Sequence, residues 1–305
     1  MTLDEFVGQG WNDHGADPQA VWNRLPEGIP LADTSLGIAQ LANLATHVSG
    51  EHLGRWDDGL AFLDRLIDLP HFDPEKPEGK AVHRLGAVLH YCAGRPAETE
   101  ARLARTQDPN RNPSSSRVRM LAVASSALAQ HRRTEEAMAA FQEALSLASY
   151  GPDAGDPAAQ ALAITGNNLA AEMETRAELN DEEKALMLRA AEVGRKYWEI
   201  AGNWMNVERA EYRLAMSNLR AGREEHALRH AETCLRIVEE NGTPAGELFF
   251  AQEALAKSHH ALGQSEAAHS ARDAASGVLA SIEDEGFRQY CQGELAKLDA
   301  ALAAV

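Results

Sequence analysis

Two histidines one helical turn apart are the residue pair in this sequence that best matches metal-ligand spacing. His226 and His230 are four positions apart, so on a helix both imidazoles point the same way, as metal ligands do. The sequence suggests no third ligand for them, and the adjacent His259 and His260 diverge around a helix. We therefore expect surface or packing roles for these histidines, no metal site and no cofactor.

Sequence motifs that carry catalysis are missing from the chain. It contains no HExxH zinc motif, no P-loop and no GxSxG nucleophile elbow. Gly8 and Gly10 lack the third glycine and the preceding strand of a dinucleotide fingerprint. We therefore predict that the protein is not an enzyme. An enzyme on a helical scaffold is the alternative, and a tight cluster of titratable groups in one pocket would support it.

The net charge restricts the partners of the chain. It carries 46 acidic and 29 basic side chains, a formal net charge of -17. Nucleic acid and anionic membrane surfaces both require a basic face, so we expect neither as a partner. An acidic chain is compatible with basic or apolar partners.

Cysteine usage and the N-terminus favour a cytoplasmic protein. Cys92, Cys234 and Cys291 are far apart and form no CxxC pair, as expected for free thiols in a reducing compartment. The first residues are acidic and lack the apolar segment of a signal peptide. No apolar run reaches the roughly 18 residues that a membrane span needs.

A short turn motif recurs along most of the chain, at positions 54, 94, 132, 180, 222 and 263. Each copy has a small or polar turn residue followed by acidic residues and a small residue. Glycine suits a left-handed helix end, and acidic residues suit the first turn of the next helix. Helical periodicity flanks the turns. We therefore predict an all-α chain of stacked helical hairpins with essentially no sheet.

The repeat resembles the tetratricopeptide repeat family, in its extended variety. Second helices of that family carry a small residue, a large residue four positions later and alanine three positions after that. Ala137, Phe141 and Ala144 match this pattern best, whereas the fourth copy departs from it. The period of about 40 residues exceeds the family's usual 34. The resemblance implies a right-handed α-solenoid of about six hairpins plus a C-terminal capping helix, with a HEAT-like stack as the alternative.

Residues 34–303 form the predicted repeat domain, and residues 1–33 lie outside the repeat. The N-terminal segment is expected to cover the apolar end of the first hairpin. The alternative role for this segment is that Trp11 or Trp22 anchors a partner.

In tetratricopeptide arrays the first helices of successive hairpins line a concave groove, so the resemblance assigns groove positions by their distance from each turn. The predicted groove residues are Arg84, Tyr91, Arg119, Asn167, Arg209, Tyr212, Arg213 and Lys257. Several of these residues are basic within an acidic chain. Because arginine grips carboxylates with two parallel hydrogen bonds, such a groove suits an acidic peptide segment or a free C-terminus.

Arg209 and Arg213 are one helical turn apart and match in type the basic pair with which some family members clamp a terminal carboxylate. Alanine or serine occupies the other clamp positions, so the full clamp is not reproduced. The alternative is that the two arginines pair with acidic neighbours, Glu208 and Glu211 among them, and only hold helices together.

The sequence therefore predicts a non-enzymatic scaffold, an adaptor or chaperone-like protein that binds a protein or peptide in its groove. The alternative is a regulator that responds to a peptide or small ligand by changing the curvature of the solenoid. Self-association through an exposed apolar groove is compatible with either function. Trp198 and Trp204, which flank one turn, are either partner anchors or, as we favour, packing residues.

Overall fold

Residues 1–303 are described by a computed structural model, and they are helical almost throughout, with no β-strand among them. The α helices are α1 (Leu3–Asp13), α2 (Pro18–Arg24), α3 (Ser35–Thr46), α4 (Trp56–Ile67), α5 (Pro77–Cys92), α6 (Pro96–Ala104), α7 (Ser115–Gln130), α8 (Thr134–Leu147), α9 (Pro157–Glu174), α10 (Asp181–Ala201), α11 (Trp204–Arg220), α12 (Glu224–Glu240), α13 (Ala245–Ala261), α14 (Ser265–Val278) and α15 (Glu285–Leu302). Short 3-10 helices span Leu25–Leu31, Ala148–Tyr150 and Leu279–Ser281, and a π helix spans His47–His52. The predicted all-α class is confirmed. Within the same residues, no helix is both long enough and apolar enough to cross a lipid bilayer.

Five of the predicted turns have the left-handed backbone that ends a helix sharply. The φ angles are 63° at Gly54, 59° at Arg132 and 71° at Gly94, Gly222 and Gly263. In the helix that follows each of these turns, an acidic residue lies in the first turn, where the helix dipole favours negative charge. The turn chemistry predicted from the sequence is therefore present at these positions.

The turn at position 180 is built differently. The backbone of Asn180 is extended, with φ -77° and ψ 176°, and its side chain accepts a hydrogen bond from the Glu183 amide at 2.8 Å. The Glu183 carboxylate in turn accepts a hydrogen bond from the Asn180 amide at 3.0 Å. This reciprocal capping box starts α10, so the fourth turn does not use the left-handed helix end found at the others.

The helices form two compact units. The first unit comprises Met1–Pro152 and Asp156–Ala161, and the second comprises Asp153–Gly155 and the residues from Leu162 onward. In each unit, neighbouring helices pack as pairs, for example α7 on α8 and α11 on α12, and alternate helices also pack, for example α5 on α7 and α11 on α13. The division falls between Pro152 and Leu162, so it includes most of the breaker-rich segment 150–157 and the first residues of α9. This stretch lies inside the single repeat domain predicted from the sequence.

The N-terminal helices cover one side of α3 in the first unit. Phe6 of α1, Val21 of α2 and Leu25 are buried together with Ile38 and Leu41 of α3. Burial of each such side chain contributes about 1.5–3 kcal/mol before the entropy of ordering is subtracted. The first 31 residues are therefore an integral part of the core of this unit.

The last helix, α15, packs on α13 and α14 in the second unit through Cys291, Leu295 and Leu298. Its apolar sequence pattern also includes Phe287 and Tyr290, but these two residues are 39% and 57% exposed. They lie at the start of the helix and face the groove described below.

Two glycines allow α9 and α10 to approach closely in the second unit. A Cβ atom placed on Gly166 would lie 2.5 Å from the carbonyl oxygen of Ala190 and 2.5 Å from the amide nitrogen of Gly194. Both neighbours are backbone atoms, so they cannot move aside without separating the helices.

Replacement of Gly166 by alanine is therefore expected to destabilise the second unit by about 1–3 kcal/mol, the usual cost of overpacking. Urea unfolding followed by circular dichroism measures this loss. Gly293→Ala is the matched control, because nothing lies within 4 Å of a Cβ atom at that position of α15. It is expected to stabilise the helix by about 0.5–1 kcal/mol, and equal effects of the two changes would contradict the close approach.

Candidate functional site

A groove crosses the second unit and encloses a cavity of about 1040 Å³. Its lining comes from α9, α11, α13 and α15, and, among the residues described, none of the lining comes from α10, α12 or α14. The lining helices are thus every second helix along the chain. The sequence analysis placed groove residues on three of these helices, α9, α11 and α13, and gave α15 only a capping role.

Five of the eight predicted groove residues line this cavity. They are Asn167 of α9, Arg209, Tyr212 and Arg213 of α11, and Lys257 of α13. The structure therefore brings together the predicted residues that follow position 162.

The other three predicted residues, Arg84, Tyr91 and Arg119, belong to the first unit. Burial, followed by the charge of Arg119, lowers the pKa of Arg84 to about 9. Burial also lowers the pKa of Arg119 and raises that of Tyr91. The two arginines of the first unit are therefore desolvated cations that repel each other, rather than groups held ready in open solvent.

An ion pair at the groove joins α9 to α11. The guanidinium group of Arg213 donates to a carboxylate oxygen of Glu174, and the Ser217 hydroxyl donates to the other at 2.5 Å. Burial raises the pKa of Glu174, and the charge of Arg213 opposes this shift. The bridge holds the last residue of α9 against the middle of α11.

A second ion pair joins α11 to α13. Arg209 binds Glu247 with two hydrogen bonds, and Nε to Oε2 measures 3.1 Å. The side chain of Arg209 is 60% exposed, whereas that of Glu247 is 12% exposed. The arginine therefore keeps donors that a ligand in the groove can reach.

Glu208 is an acid buried beside this second pair, with only 1% of its surface exposed. Burial raises the pKa of Glu208 to about 8, and the neighbouring Glu247 contributes to this rise. The Cys234 thiol, which donates a hydrogen bond to Oε1 of Glu208 at 2.9 Å, opposes the rise. Burial also raises the pKa of Glu247, but hydrogen bonds from Arg209 and Glu208 outweigh this and lower it. The raised pKa of Glu208 and the lowered pKa of Glu247 both favour a proton on Glu208 over one on Glu247.

Glu253 of α13 lies beneath the groove, and its side chain is fully buried. The Tyr212 hydroxyl donates to its Oε2 at 2.8 Å, and the ammonium nitrogen of Lys257 lies 2.6 Å from its Oε1. Burial and the charge of Glu253 raise the pKa of Tyr212 well above its usual value. Both predicted groove residues are thus anchored by an acid beneath them.

An aromatic wall, consisting of Phe250, Phe287 and Tyr290, forms the α13–α15 side of the groove. The ring of Phe250 lies 6.2 Å from each of the other two rings, and those two stack at 6.5 Å. Tyr212 meets Phe250 edge to face at 5.7 Å. Because Phe287 and Tyr290 are exposed, the wall presents apolar surface that another apolar group can cover.

The cations at positions 209, 213 and 257 each have a carboxylate partner. The sequence interpretation considered Glu208 and Glu211 as partners of the two arginines, but the partners are Glu247 and Glu174. A ligand carboxylate must therefore share or displace an existing ion pair. Arg209, with its exposed donors, is the residue best placed to share one.

The histidine pair on α12 has an acid as a neighbour. The ring nitrogen Nδ1 of His230 lies 2.7 Å from Oε2 of Glu211, and Arg195 Nε donates to the other oxygen of Glu211 at 2.5 Å. His226 is exposed on the same helix. His230 thus takes part in a hydrogen-bond network that joins α10, α11 and α12.

Trp198 and Trp204 are both partly buried, and in the described part of the chain neither is among the residues that line the groove. The three residues of the aromatic wall, unlike Tyr212, were not predicted as groove residues from the sequence. Their spacing is that of core residues, and only the position of Phe287 and Tyr290 in the first turns of the last helix marks them as different.

No family model matches this chain, and a search of curated proteins also finds no match.

Proposed function

We propose that the protein is a non-enzymatic binding scaffold that holds a peptide segment of a partner in the groove of the second unit. We further propose that the chain is a right-handed solenoid of about six tetratricopeptide-like hairpins with α15 as the capping helix. Support comes from the regular turns and from the packing of neighbouring and alternate helices. Helical repeats of this kind commonly use a concave surface for binding.

The observation that carries the proposal is the groove lined by every second helix. Its volume of about 1040 Å³ is at the upper limit of small-molecule pockets, which measure roughly 300–1,000 Å³. An open groove of this size suits several consecutive side chains of a peptide better than one small metabolite.

The lining defines the chemistry of the peptide. The aromatic wall offers a surface for an aromatic or aliphatic side chain, since rings that pair in this way supply much of the energy of an interface. Arg209 offers charged donors for a carboxylate, from an acidic side chain or a free C-terminus. The proposed ligand is therefore a peptide that combines an apolar anchor with a nearby carboxylate.

A random peptide library displayed on phage tests this proposal. We expect the purified protein to enrich peptides with an apolar anchor and an acidic group, and the double variant Phe287→Ser/Tyr290→Ser to bind them at least ~10-fold more weakly. Fluorescence anisotropy with a labelled peptide from the selection measures the difference in Kd.

Arg236→Ala is the matched control, because Arg236 is exposed on α12, away from the lining helices. Circular dichroism of each variant verifies its fold. If the enriched peptides bind the Phe287→Ser/Tyr290→Ser variant and wild type equally well, the groove is not the peptide-binding site. A library without any enriched peptide would count against a peptide-binding scaffold.

A ligand-responsive regulator is the second candidate, favoured by the ion pairs that join the lining helices. Arg213 to Glu174 and Arg209 to Glu247 link α9, α11 and α13 in series. A ligand that competes for either arginine changes the contacts between these helices. Small-angle scattering with and without the selected peptide separates the two candidates, since a scaffold keeps its dimensions and a regulator does not.

A further inference from the structure

Three imidazole rings meet in the first unit, outside every feature used above. The ring centroids of His14, His47 and His52 are 4.8–5.0 Å apart in all three pairings. One ring nitrogen of each residue lies within 4.8 Å of the corresponding nitrogens of the other two. All three side chains are partly buried, so the cluster is both enclosed and reachable from solvent.

The π helix His47–His52 creates this juxtaposition. In an α helix, residues five positions apart point in directions roughly 140° apart, since each residue turns the helix by about 100°. A π helix bonds each residue to the fifth one along, as the Leu53 amide does to the Val48 carbonyl at 3.1 Å. His47 and His52 therefore lie one above the other, with their Nε2 atoms 3.1 Å apart.

Two of the rings have polar partners outside the cluster. Nδ1 of His14 lies 2.6 Å from the carbonyl oxygen of Trp11, and Nδ1 of His47 lies 3.1 Å from a carboxylate oxygen of Glu51. A neutral His14 ring that donates from Nδ1 to this carbonyl has its lone pair on Nε2. Nε2 of His47 shares a hydrogen bond with Nε2 of His52 at 3.1 Å, which a bound ion would replace. Metal-ligating histidines are oriented in this way by a carbonyl or a carboxylate.

We propose that His14, His47 and His52 form a binding site for a divalent transition-metal ion, and that Zn²⁺ is the ion that fits the donors best. Imidazole nitrogens are ligands that Zn²⁺ prefers, and three protein ligands with a fourth position open to solvent is a common zinc arrangement. Ligands at about 2.0–2.1 Å from a tetrahedral ion are roughly 3.3 Å from one another. The Nε2 atoms of His47 and His52 are already separated by close to this value. A ring nitrogen of His14 lies within 4.8 Å of the other two ligand atoms.

The surroundings favour a cation. Glu51 places a carboxylate beside His47, and the Trp11 ring, 5.0 Å from the His47 ring, covers one side of the cluster. A further histidine that acts on His52, His131, uses its Nε2 to bond the Gly50 carbonyl at 2.8 Å. A bound ion would connect α1 to the π helix.

This site was not expected from the sequence, because five positions is not the spacing of ligands on an α helix. The histidine pair with the expected spacing, His226 and His230, lies in the second unit and serves as the internal control.

Zinc titration of the chelator-treated full-length chain tests the proposal, in competition with a chromophoric chelator. We expect one equivalent of Zn²⁺ to bind tightly to wild type and to raise the melting temperature. His52→Gln is expected to lose this equivalent, and Glu51→Gln, which keeps all three ligands, to weaken it about 10–100-fold. Co²⁺ in place of zinc is expected to give the visible absorption of a tetrahedral nitrogen-ligated ion.

The variant His226→Gln/His230→Gln is expected to bind Zn²⁺ as wild type does. Circular dichroism of each metal-free variant shows whether it is folded, and Glu51→Gln supplies the test if His52→Gln is not. The proposal is overturned if wild type binds no stoichiometric zinc, if a folded His52→Gln variant binds it unchanged, or if only the α12 variant loses it.

Discussion

Replacement of Arg176 by methionine is expected to destabilise the second unit by about 3–5 kcal/mol, the cost of removing one partner of a buried ion pair. Arg176 follows α9 and is 6% exposed. Its guanidinium group binds Glu172 of α9 at 3.0 Å and Glu183 of α10 at 2.7 Å. Methionine fills a similar volume, so the loss arises chiefly from the removal of the positive charge between the two acids.

Urea unfolding followed by circular dichroism measures this loss, and hydrogen exchange of peptides from each unit assigns it to the second unit. The double variant Arg176→Met/Glu183→Gln is expected to recover part of the stability, because glutamine removes the buried negative charge that Arg176 balances in wild type. Arg189→Met is the control, since Arg189 and its partner Glu192 are both more than half exposed and such pairs contribute about 0–1 kcal/mol. Equal losses for Arg176→Met and Arg189→Met would refute the role of burial.

Replacement of Arg176 also affects a residue that lines the groove. Arg220 of α11 donates hydrogen bonds to the carbonyl oxygens of Arg176 and Ala177, at 2.5 and 2.8 Å. The segment that holds the end of α9 is thus also held by a groove residue. Arg176→Met is therefore expected to weaken binding of a groove peptide even in conditions where the variant is folded.

Replacement of Glu208 by glutamine is expected to remove a pH dependence of stability between pH 6.5 and 8. The folded chain keeps Glu208 protonated up to a pKa of about 8, whereas the unfolded chain ionises it near 4.5. The folded state therefore binds the extra proton in this range, and the free energy of unfolding falls as the pH rises. For one proton the slope is about 1.4 kcal/mol per pH unit, so wild type is expected to lose about 1–2 kcal/mol across the interval.

The interval is chosen because other groups act in the opposite direction below it. Burial is the main cause that lowers the pKa of His52 and of His83 from 6.5 to about 4, so below pH 6.5 the unfolded chain binds more protons at these residues and stability rises with pH. The pKa of the Cys234 thiol is raised by burial, so it stays protonated throughout. The difference between wild type and variant isolates Glu208.

Glutamine resembles the protonated acid, since it can accept the Cys234 hydrogen bond and donate one to Glu247. Urea unfolding at intervals from pH 6.5 to 8 is expected to give a flatter profile for Glu208→Gln. Glu240→Gln, at a side chain that is 58% exposed, is the control and should keep the wild-type slope. An unchanged slope in Glu208→Gln would mean that Glu208 is ionised in the folded chain.

The sequence by itself determined the helical class and the chemistry of the turns. Gly54, Gly94, Gly222 and Gly263 mark left-handed helix ends, and the acidic residues after them start the next helices, because both preferences are local properties of a few adjacent residues. The resemblance to tetratricopeptide repeats assigned groove positions by their distance from these turns. Arg209, Arg213 and Lys257 of that set line the cavity of the second unit.

Only the tertiary structure decided which groups meet. The ion pairs of the groove join residues about 40 positions apart, Arg213 with Glu174 and Arg209 with Glu247. Sequence periodicity predicts the face of a helix on which a residue lies, but it does not predict which residue of another helix it contacts. The pKa of Glu208 follows from burial, which arises only when α12 and α13 cover it. The histidine cluster depends on a π helix and on the approach of α1 to it, so no spacing rule for an α helix reveals it.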